Sequence, residues 1–312
     1  MDSKAETHIS DPIVVTGLGH KILKPHSESS NGNGQIGEEV LSYLKSKKMR
    51  KFMGKQDLLS VIASGLAVGE SGIDASILKE RAGVYLTVGY IPFEHSDIEP
   101  LAENSVRDGQ FSMEMFSTVG IEQVNPLLTF RCLPNMPIFH ASLNLGIQGP
   151  YFVTYPGPGQ FYIAMEQAIS ALNCGQIDFA LLGAVADQNN FLVNYHFKRL
   201  SHCKSWTLSD VGAFLCLERK SFAEKRSAPI RLELLSNEIL YKPVPTMQGM
   251  KELSENFEIE GEPFLEEGFG YLGPASLPIH LSLALAKGGR GRLNHSLEAM
   301  DGIFGSSVWQ IT

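Results

Sequence analysis

Short apolar runs and helically spaced apolar positions alternate along most of the chain. Runs rich in β-branched, aromatic or aliphatic residues predict buried strands at 13–19, 83–89, 151–155, 179–185, 211–218, 230–235 and 302–311. Apolar residues at helical spacing predict helices at 56–69, 137–145, 161–172 and 277–287. Because strands and helices alternate, the pattern predicts an α/β fold with layered sheets.

Polar stretches separate these elements. Residues 21–37 are rich in Ser, Asn and Gly and predict a surface loop. A second polar loop is predicted from Asp187 to Ser209, and a variable, charged section precedes Glu267. An excursion at 97–123 contains a patch rich in Met and Phe.

The stretch from Gly149 to Asp187 organises the chain. A strand-like run at 151–155 meets a Pro-Gly-Pro-Gly-Gln sequence at 156–160, which must break the strand sharply. A nearly buried helix and a second buried strand follow. In many enzymes such a strand–elbow–helix unit carries a nucleophile, but this elbow offers proline and glycine.

Composition describes a globular protein with a substantial core. The chain has 312 residues, 43% of them hydrophobic and 19% charged, and a formal net charge of −8. The negative charge argues against nucleic acid and against anionic membrane surfaces. No apolar run is long enough to span a bilayer, and the amino terminus lacks a secretory apolar region. A cytoplasmic location is therefore expected.

Several weaker signals favour structural interpretations. The four cysteines form no CxxC pair, so structural zinc and a disulfide framework are not expected, and adjacent His202 and Cys203 are interpreted as a surface loop. The Gly-Leu-Gly sequence at 17–19 lacks a third glycine, which favours a tight turn over a nucleotide site. His140 lies among apolar neighbours in a predicted helix and is interpreted as a core histidine with satisfied hydrogen bonds.

Taken together, the segments resemble the β-ketoacyl-ACP synthases of the thiolase fold over nearly the whole length. The resemblance is carried by VVTGLG at 14–19, the helix at 56–69 with GVYLTVG, NPLLTFRCLPNMP at 125–137, GIQGP at 146–150, the elbow, GQIDFALLGAVAD at 175–187, VGAFLCLE at 211–218, GFGYLGPAS at 268–276 and DGIFGSS at 301–307. It implies a five-layer α-β-α-β-α sandwich of two βαβαβαββ halves. These would be residues 1–220 and a shortened 221–312, forming a single compact domain.

The resemblance also implies a dimer and a catalytic triad, and it assigns residues to both. The dimer would pair one strand across the two-fold axis, formed by Tyr151, Phe152, Val153, Thr154 and Tyr155. The family's elbow cysteine falls on Pro158, and the histidine of its GH turn falls on Gly270. The second histidine has no counterpart between residues 236 and 267. Because such residues act as a unit, independent condensation is not expected.

A silent homologue of this kind resembles the chain length factor, or ketosynthase β, of type II polyketide and aryl-polyene systems. It would pair with an active ketosynthase, as a heterodimer or higher assembly, and complete the acyl tunnel. The predicted tunnel-lining residues are Phe111, Met115, Phe116, Gln160 and Phe161. The chain would need no cofactor or metal of its own, and the acyl carrier protein partner would carry phosphopantetheine.

Other functions stay open at this point. The chain is alternatively an acyl-ACP decarboxylase or acyltransferase that uses Gln160 or another residue on the remodelled elbow, or a pure scaffold subunit. The basic sequence at 45–55 is either a surface for an acidic partner or a solvated helix end. The Gly-Gly-Arg-Gly-Arg sequence at 288–292 is either a carrier-protein contact or a turn. Product class, cognate ketosynthase, and homodimer versus heterodimer are not decided by the sequence.

Overall fold

A computed structural model describes residues 11–23, 36–74, 76–200, 206–242, 254–263, 269–299 and 302–312. The strands are β1 (Ile13–Leu23), β2 (Ala82–Val88), β3 (Val106–Arg107), β4 (Gln110–Phe111), β5 (Tyr151–Thr154), β6 (Phe179–Ala186), β7 (Asp210–Arg219), β8 (Leu232–Tyr241), β9 (Ser254–Ile259), β10 (Glu262–Pro263), β11 (Gly291–Glu298) and β12 (Ile303–Ile311). The helices are α1 (Lys55–Ser71), α2 (His95–Glu103), α3 (Met113–Met115), α4 (Leu128–Cys132), α5 (Met136–Leu145), α6 (Gly159–Asn173), α7 (Phe191–Arg199), α8 (Lys220–Lys225) and α9 (Ser276–Ala286). The predicted α/β class is confirmed.

Within the described residues, ten strands form one sheet in the order β10-β9-β11-β12-β8-β1-β7-β6-β2-β5. Its two halves meet at β1 and β8, where only Val14 with Glu233 and Val15 with Leu232 are paired. From this seam outward, each half begins with antiparallel strands, β1-β7-β6 on one side and β8-β12-β11 on the other. The first half continues with parallel β2 and β5, whereas the second ends in an antiparallel β9-β10 hairpin. The halves therefore repeat one strand order and differ in their outer strands.

Helices cover both faces of the first half-sheet. Helices α1 and α5 pack on its outer face, and α6 and α9 lie between the two half-sheets. Strand β6 is buried along its whole length, with Phe179 and Leu181 packed on the α1 side and Ala180 and Leu182 on the α6 side. A strand buried on both faces needs the continuous apolar run seen in the sequence.

The Gly-Leu-Gly sequence is part of a strand, so the predicted turn there is wrong. Gly17 and Gly19 continue β1, paired with Cys216 and Phe214 of β7. A Cβ at Gly17 would lie 2.2 Å from the Ala67 carbonyl oxygen, so the glycines allow α1 to pack directly on the strand. The strand continues to Leu23, into part of the predicted loop at 21–37.

The second half-sheet has one buried face and one half-exposed face. Alternate residues of β12 are buried toward α6, while the intervening residues are half-exposed, as on β11. The half-exposed positions include Asn294, Ser296, Ser306 and Gln310. This alternation is typical of an antiparallel sheet with one face in water. The described residues therefore supply four layers, α-β-α-β, and the predicted fifth layer is wrong for them, because no described helix covers the outer face of the second half-sheet.

A buried polar network ties α6 to the second half-sheet. The Tyr162 hydroxyl is hydrogen-bonded to Nδ1 of His295 and lies 3.2 Å from Ser307 Oγ. His295 Nε2 lies 2.9 Å from Glu255 Oε1 on β9. Burial opposes the charge of Glu255, but the hydrogen bond and charge of His295, together with His280 and Ser276, outweigh it and lower the pKa of that carboxyl. The first turn of α6 is thereby fixed against β9, β11 and β12.

Two further elements lie where the sequence predicts irregular structure. Helix α7 falls inside the predicted polar loop, capped by Asn190 and burying Val193 and Phe197. Two buried positions are too few to create a recognisable helical period, which explains the wrong prediction. The β9-β10 hairpin occupies the section interpreted as variable and charged.

Candidate functional site at the strand–helix elbow

The elbow joins β5 to α6 through closely packed backbone. Pro158 is buried and precedes the first residue of α6, Gly159. A Cβ at Gly159 would lie 2.7 Å from the Ile303 Cβ and 3.0 Å from the Ala299 Cβ, so the elbow contacts the β11–β12 connection directly. Thr154 Oγ1 donates to the Gln160 carbonyl oxygen over 3.1 Å. Between Tyr155 and Gln160 the sequence offers no thiol, imidazole or carboxylate.

A second segment, Phe269–Leu272, which we name the glycine loop, lies beside β6 and β7. Its Gly270 has φ +69°, and a Cβ there would lie 2.3 Å from the Thr207 carbonyl oxygen. That oxygen accepts the Tyr271 N–H over 2.7 Å. Gln188 Nε2 donates to the carbonyl oxygens of Tyr271, over 2.9 Å, and Ser209, over 2.8 Å. The loop is held by hydrogen bonds in a conformation that leaves position 270 no room for a side chain.

Aromatic rings connect the elbow to the glycine loop. The aromatic cluster comprises Tyr90, Tyr155, His196, Phe197, Trp206 and Tyr271. From the elbow, the Tyr155 ring lies 6.3 Å from that of Tyr90, which is 6.0 Å from Phe197. Phe197 in turn lies 5.2 Å from Tyr271. These edge-to-face contacts link the elbow to the glycine loop through a continuous set of packed rings.

Comparisons with known proteins identify the fold. No family model and no curated protein matches the sequence. A chain of a type II polyketide synthase ketosynthase–acyl carrier protein complex, AntDE:AntF, superposes with a TM-score of 0.70 at 15% identity, covering 97% of this chain and 100% of that one. The ishigamide ketosynthase/chain length factor gives 0.67 at 16% identity, and a β-ketoacyl synthase from Burkholderia phymatum gives 0.66 at 15%, each with the same coverage.

The chain has the thiolase-like fold of the ketosynthases. The fold predicted from the sequence segments is therefore confirmed, with the second half in the reduced form described above. At identities of 15% to 16%, the likeness is one of fold.

The resemblance assigns the family's nucleophile to position 158 and one of its histidines to position 270. These two positions lie in the elbow and in the glycine loop. Pro158 stands at the start of α6, and Gly270 lies in the glycine loop, whose continuation at Gly273–Ala275 packs on α6 and β6. Neither residue carries a reactive side chain, and the aromatic cluster links the two segments. Burial lowers the pKa of the cluster's own imidazole, His196, and Arg199 adds to the shift.

Beneath the glycine loop lies a buried group of charges, Lys55, Asp187 and Asp210, which we name the charged cluster. Lys55 Nζ at the start of α1 lies 2.9 Å from Asp187 Oδ1 and 3.0 Å from Asp210 Oδ2. Burial opposes the ammonium charge, but the two carboxylates raise the pKa of Lys55 above its ordinary value. The sequence shows Asp187 and Asp210 at the adjoining ends of β6 and β7, yet nothing in it pairs them with a lysine 132 and 155 residues away.

The other predicted residues are dispersed. Phe111 is 64% exposed in the excursion between β2 and β5, and its ring lies 6.0 Å from that of Phe116, which is half-buried like Met115. Gln160 is half-buried in the first turn of α6, whereas Phe161 is fully buried in the core between the half-sheets. Their assignment to a tunnel stays a prediction.

The predicted interface strand is the edge of the sheet. Strand β5 is hydrogen-bonded to β2 and ends the strand order, with Tyr151 72% exposed and Phe152 and Val153 half-buried. Thr154 is buried and its hydroxyl lies 2.8 Å from that of Thr87. An edge strand with an exposed aromatic side chain is open to pairing with another chain.

The remaining candidates give no support to a metal site or a catalytic histidine. His140 is buried in α5 as predicted, but no described residue provides a hydrogen-bond partner for either ring nitrogen, so the expectation of satisfied bonds is wrong. His202 and Cys203 lie outside the described residues. In the part of the chain that is described, no three His, Cys, Asp or Glu side chains are placed to hold a metal ion. No helix in that part has the length and apolar content needed to cross a bilayer.

Proposed function

We propose that the chain is a non-condensing ketosynthase homologue that pairs with an active ketosynthase and acts as its chain length factor. The observation that carries this proposal is the chemistry of the two segments at the elbow. Pro158 supplies no nucleophile, and Gly270 has neither a side chain nor space for one. Nucleophile and histidine are needed together for thioester chemistry, so a fold that lacks both contributes shape instead of a reaction.

The surface around β5 supports a role in a complex. Beside the exposed Tyr151 on the free edge, helix α5 presents Phe139 and Leu143, which are 45% and 42% exposed. Helix α5 packs on β2, the neighbour of β5, so these apolar side chains extend the edge into one face. A ketosynthase edge strand would complete the hydrogen bonds of β5, and its apolar surface would cover α5.

The basic segment before α1 suits the second partner, an acyl carrier protein with phosphopantetheine. Lys45, Lys47, Lys48 and Lys51 are exposed, and residues 45–55 contain no acidic residue. This local positive charge stands out in a chain of net charge −8. The segment runs into α1 at Lys55, at the same end of the sheet as the elbow. An acidic carrier protein docked there would be steered by charge.

Product length tests the central claim. The chain is co-expressed with a cysteine-bearing ketosynthase and carrier protein, and the acyl products are measured by mass spectrometry. Alanine at Phe111, Met115 and Phe116 is expected to lengthen the product, because bulky side chains would no longer stop the growing chain. Leu240→Ala is the matched control, since Leu240 is a large exposed residue on β8, 54% exposed and outside the excursion.

Each alternative function gives a different result in this assay. An unchanged product in a stable complex would indicate a pure scaffold. Turnover of malonyl-ACP by the purified chain alone, lost in Gln160→Ala, would indicate a decarboxylase and overturn the proposal. Isolation as a self-sufficient homodimer that never binds a ketosynthase would overturn it as well.

Docking of the carrier protein is tested separately. Lys47→Glu with Lys48→Glu is expected to weaken carrier-protein binding to the complex, and the loss should shrink at high salt because exposed charges are screened. Lys225→Glu is the control, since α8 packs near the opposite end of the sheet. Equal effects of the two reversals would contradict docking at the basic segment.

A further inference from the structure

The charged cluster contains more negative than positive charge. One ammonium group, Lys55, faces two carboxylates, and the side chains of Asp187 and Asp210 are only 2% and 4% exposed. Asp210 Oδ1 also accepts the backbone N–H groups of Gln188 and Asn189, over 2.8 and 2.7 Å. These bonds solvate one carboxylate, but they do not remove the excess charge. A buried net charge is costly unless a further cation compensates for it.

The surrounding groups add no such cation in the described residues. The titratable groups that interact with Asp187 from neighbouring elements are Glu94 before α2 and Cys132 of α4. Asp57 of α1, Asp97 of α2 and Arg131 of α4 lie around Cys132. Glu94 makes the surroundings of Asp187 more negative. Arg131 forms an ion pair with Asp97, its Nη2 lying 2.6 Å from Oδ1 of that carboxylate.

We propose that the charged cluster is a proton-binding site, in which Asp187 takes up a proton and thereby alters how the glycine loop is held. The charge count and the burial of the two carboxylates carry this inference. In agreement, burial raises the pKa of Asp187 to about 7, against the opposing effect of Lys55, and the charge of Asp210 adds to the rise. This role does not depend on the proposed partnership with a ketosynthase.

One residue links the cluster to the loop. Gln188 follows Asp187 directly, donates its backbone N–H to Asp210, and donates its side-chain amide to the Tyr271 carbonyl oxygen. The Tyr271 ring lies 4.8 Å from the ring of Trp206. When Asp187 becomes neutral, Lys55 is drawn toward Asp210, and the bond between Asp210 and Gln188 changes with it. Trp206 therefore reports on the protonation of the cluster.

Tryptophan fluorescence of the folded chain between pH 5.5 and 8.5 tests the proposal. The unmodified protein is expected to give one sigmoidal change with a midpoint near pH 7, and Asp187→Asn is expected to abolish it. Lys55→Met should move the midpoint up by at least one unit, because a favourable positive charge is lost. Asp210→Asn should move it down, because a neighbouring negative charge is lost. Opposite displacements are the signature of a proton site, since a purely structural role gives shifts of one sign or none.

Controls separate this signal from other titrations. His196→Gln removes the imidazole of the aromatic cluster and should leave the midpoint in place, whereas Trp206→Phe should remove the signal. The unmodified protein alone also tests the idea through urea unfolding. A carboxyl whose folded pKa is raised makes stability fall as pH rises toward 7 and stay level above it. A flat fluorescence profile, or one abolished by His196→Gln, would overturn the proposal.

Discussion

Alanine at Gly270 tests whether the glycine loop is closed to a side chain, and Gly72 provides the matched control. Gly72 caps α1 with φ +61° and no atom within 4 Å of a built Cβ, so Gly72→Ala isolates the cost of left-handed backbone. That cost is about 1 kcal/mol. Gly270 has nearly the same φ, but its Cβ would meet the Thr207 carbonyl oxygen at 2.3 Å.

The extra cost at Gly270 follows from what must move. An ordinary contact is roughly 1 Å longer, so the Thr207 carbonyl or the loop has to shift and give up the hydrogen bond from Tyr271 N–H. Losing that bond adds about 1 to 2 kcal/mol, which predicts a total of about 2 to 3 kcal/mol for Gly270→Ala. Urea unfolding followed by tryptophan fluorescence and circular dichroism measures both variants.

The comparison refutes the reasoning if Gly270→Ala costs no more than Gly72→Ala. In that case the backbone of the loop accommodates a side chain, and steric exclusion does not explain why position 270 is glycine. If the difference is found, Pro158→Cys combined with Gly270→His is expected to give no condensation of acyl and malonyl groups. Restored turnover in that double variant would show that the backbone still accommodates the chemistry.

Three further predictions concern buried polar groups. Burial lowers the pKa of His140 to about 4, below the value of about 6.5 in unfolded chains, so stability should fall by about 1.4 kcal/mol per unit as pH drops from 6.5 to 4. His140→Leu should remove this slope in acid urea titrations, and an unchanged slope would contradict the assignment. Tyr162→Phe should cost about 1 to 3 kcal/mol in thermal unfolding by leaving His295 without its partner; a neutral effect would refute this. Arg226→Met should cost about 3 to 5 kcal/mol in guanidinium unfolding, because Glu218 is fully buried and loses its guanidinium partner; a loss below 1 kcal/mol would contradict it.

Much of the fold could be predicted because its central elements have strong local signals. The apolar run of β6 and the helical spacing of α6 follow from burial on both sides, so element type and order are visible in the sequence. The continuation of β1 beyond Gly19 could not be predicted, because glycine is compatible both with a turn and with a close approach of two backbones. Helix α7 was missed because its stability depends on contacts with the aromatic cluster, which are distant in sequence.

For the candidate site, the sequence indicates only the missing groups, a nucleophile at the elbow and a histidine in the glycine loop. The assignment of Pro158 and Gly270 to catalytic positions is implied by the resemblance to the ketosynthases and stays a prediction, and the sequence contains no sign that a carbonyl oxygen excludes side chains at Gly270. The charged cluster escaped prediction for a similar reason. Lys55, Asp187 and Asp210 come from three separate elements, and their pairing depends on how α1 crosses the ends of β6 and β7.

The contact between Gly159 and the β11–β12 connection makes the geometry of the elbow depend on the far half of the chain. Ala299 and Ile303 form the surface on which the elbow rests. Asn294 and Gln310 lie on the other, half-exposed face of the same two strands. Removing this hairpin would therefore deprive the first half of the surface that positions the start of α6, so neither half keeps its geometry without the other.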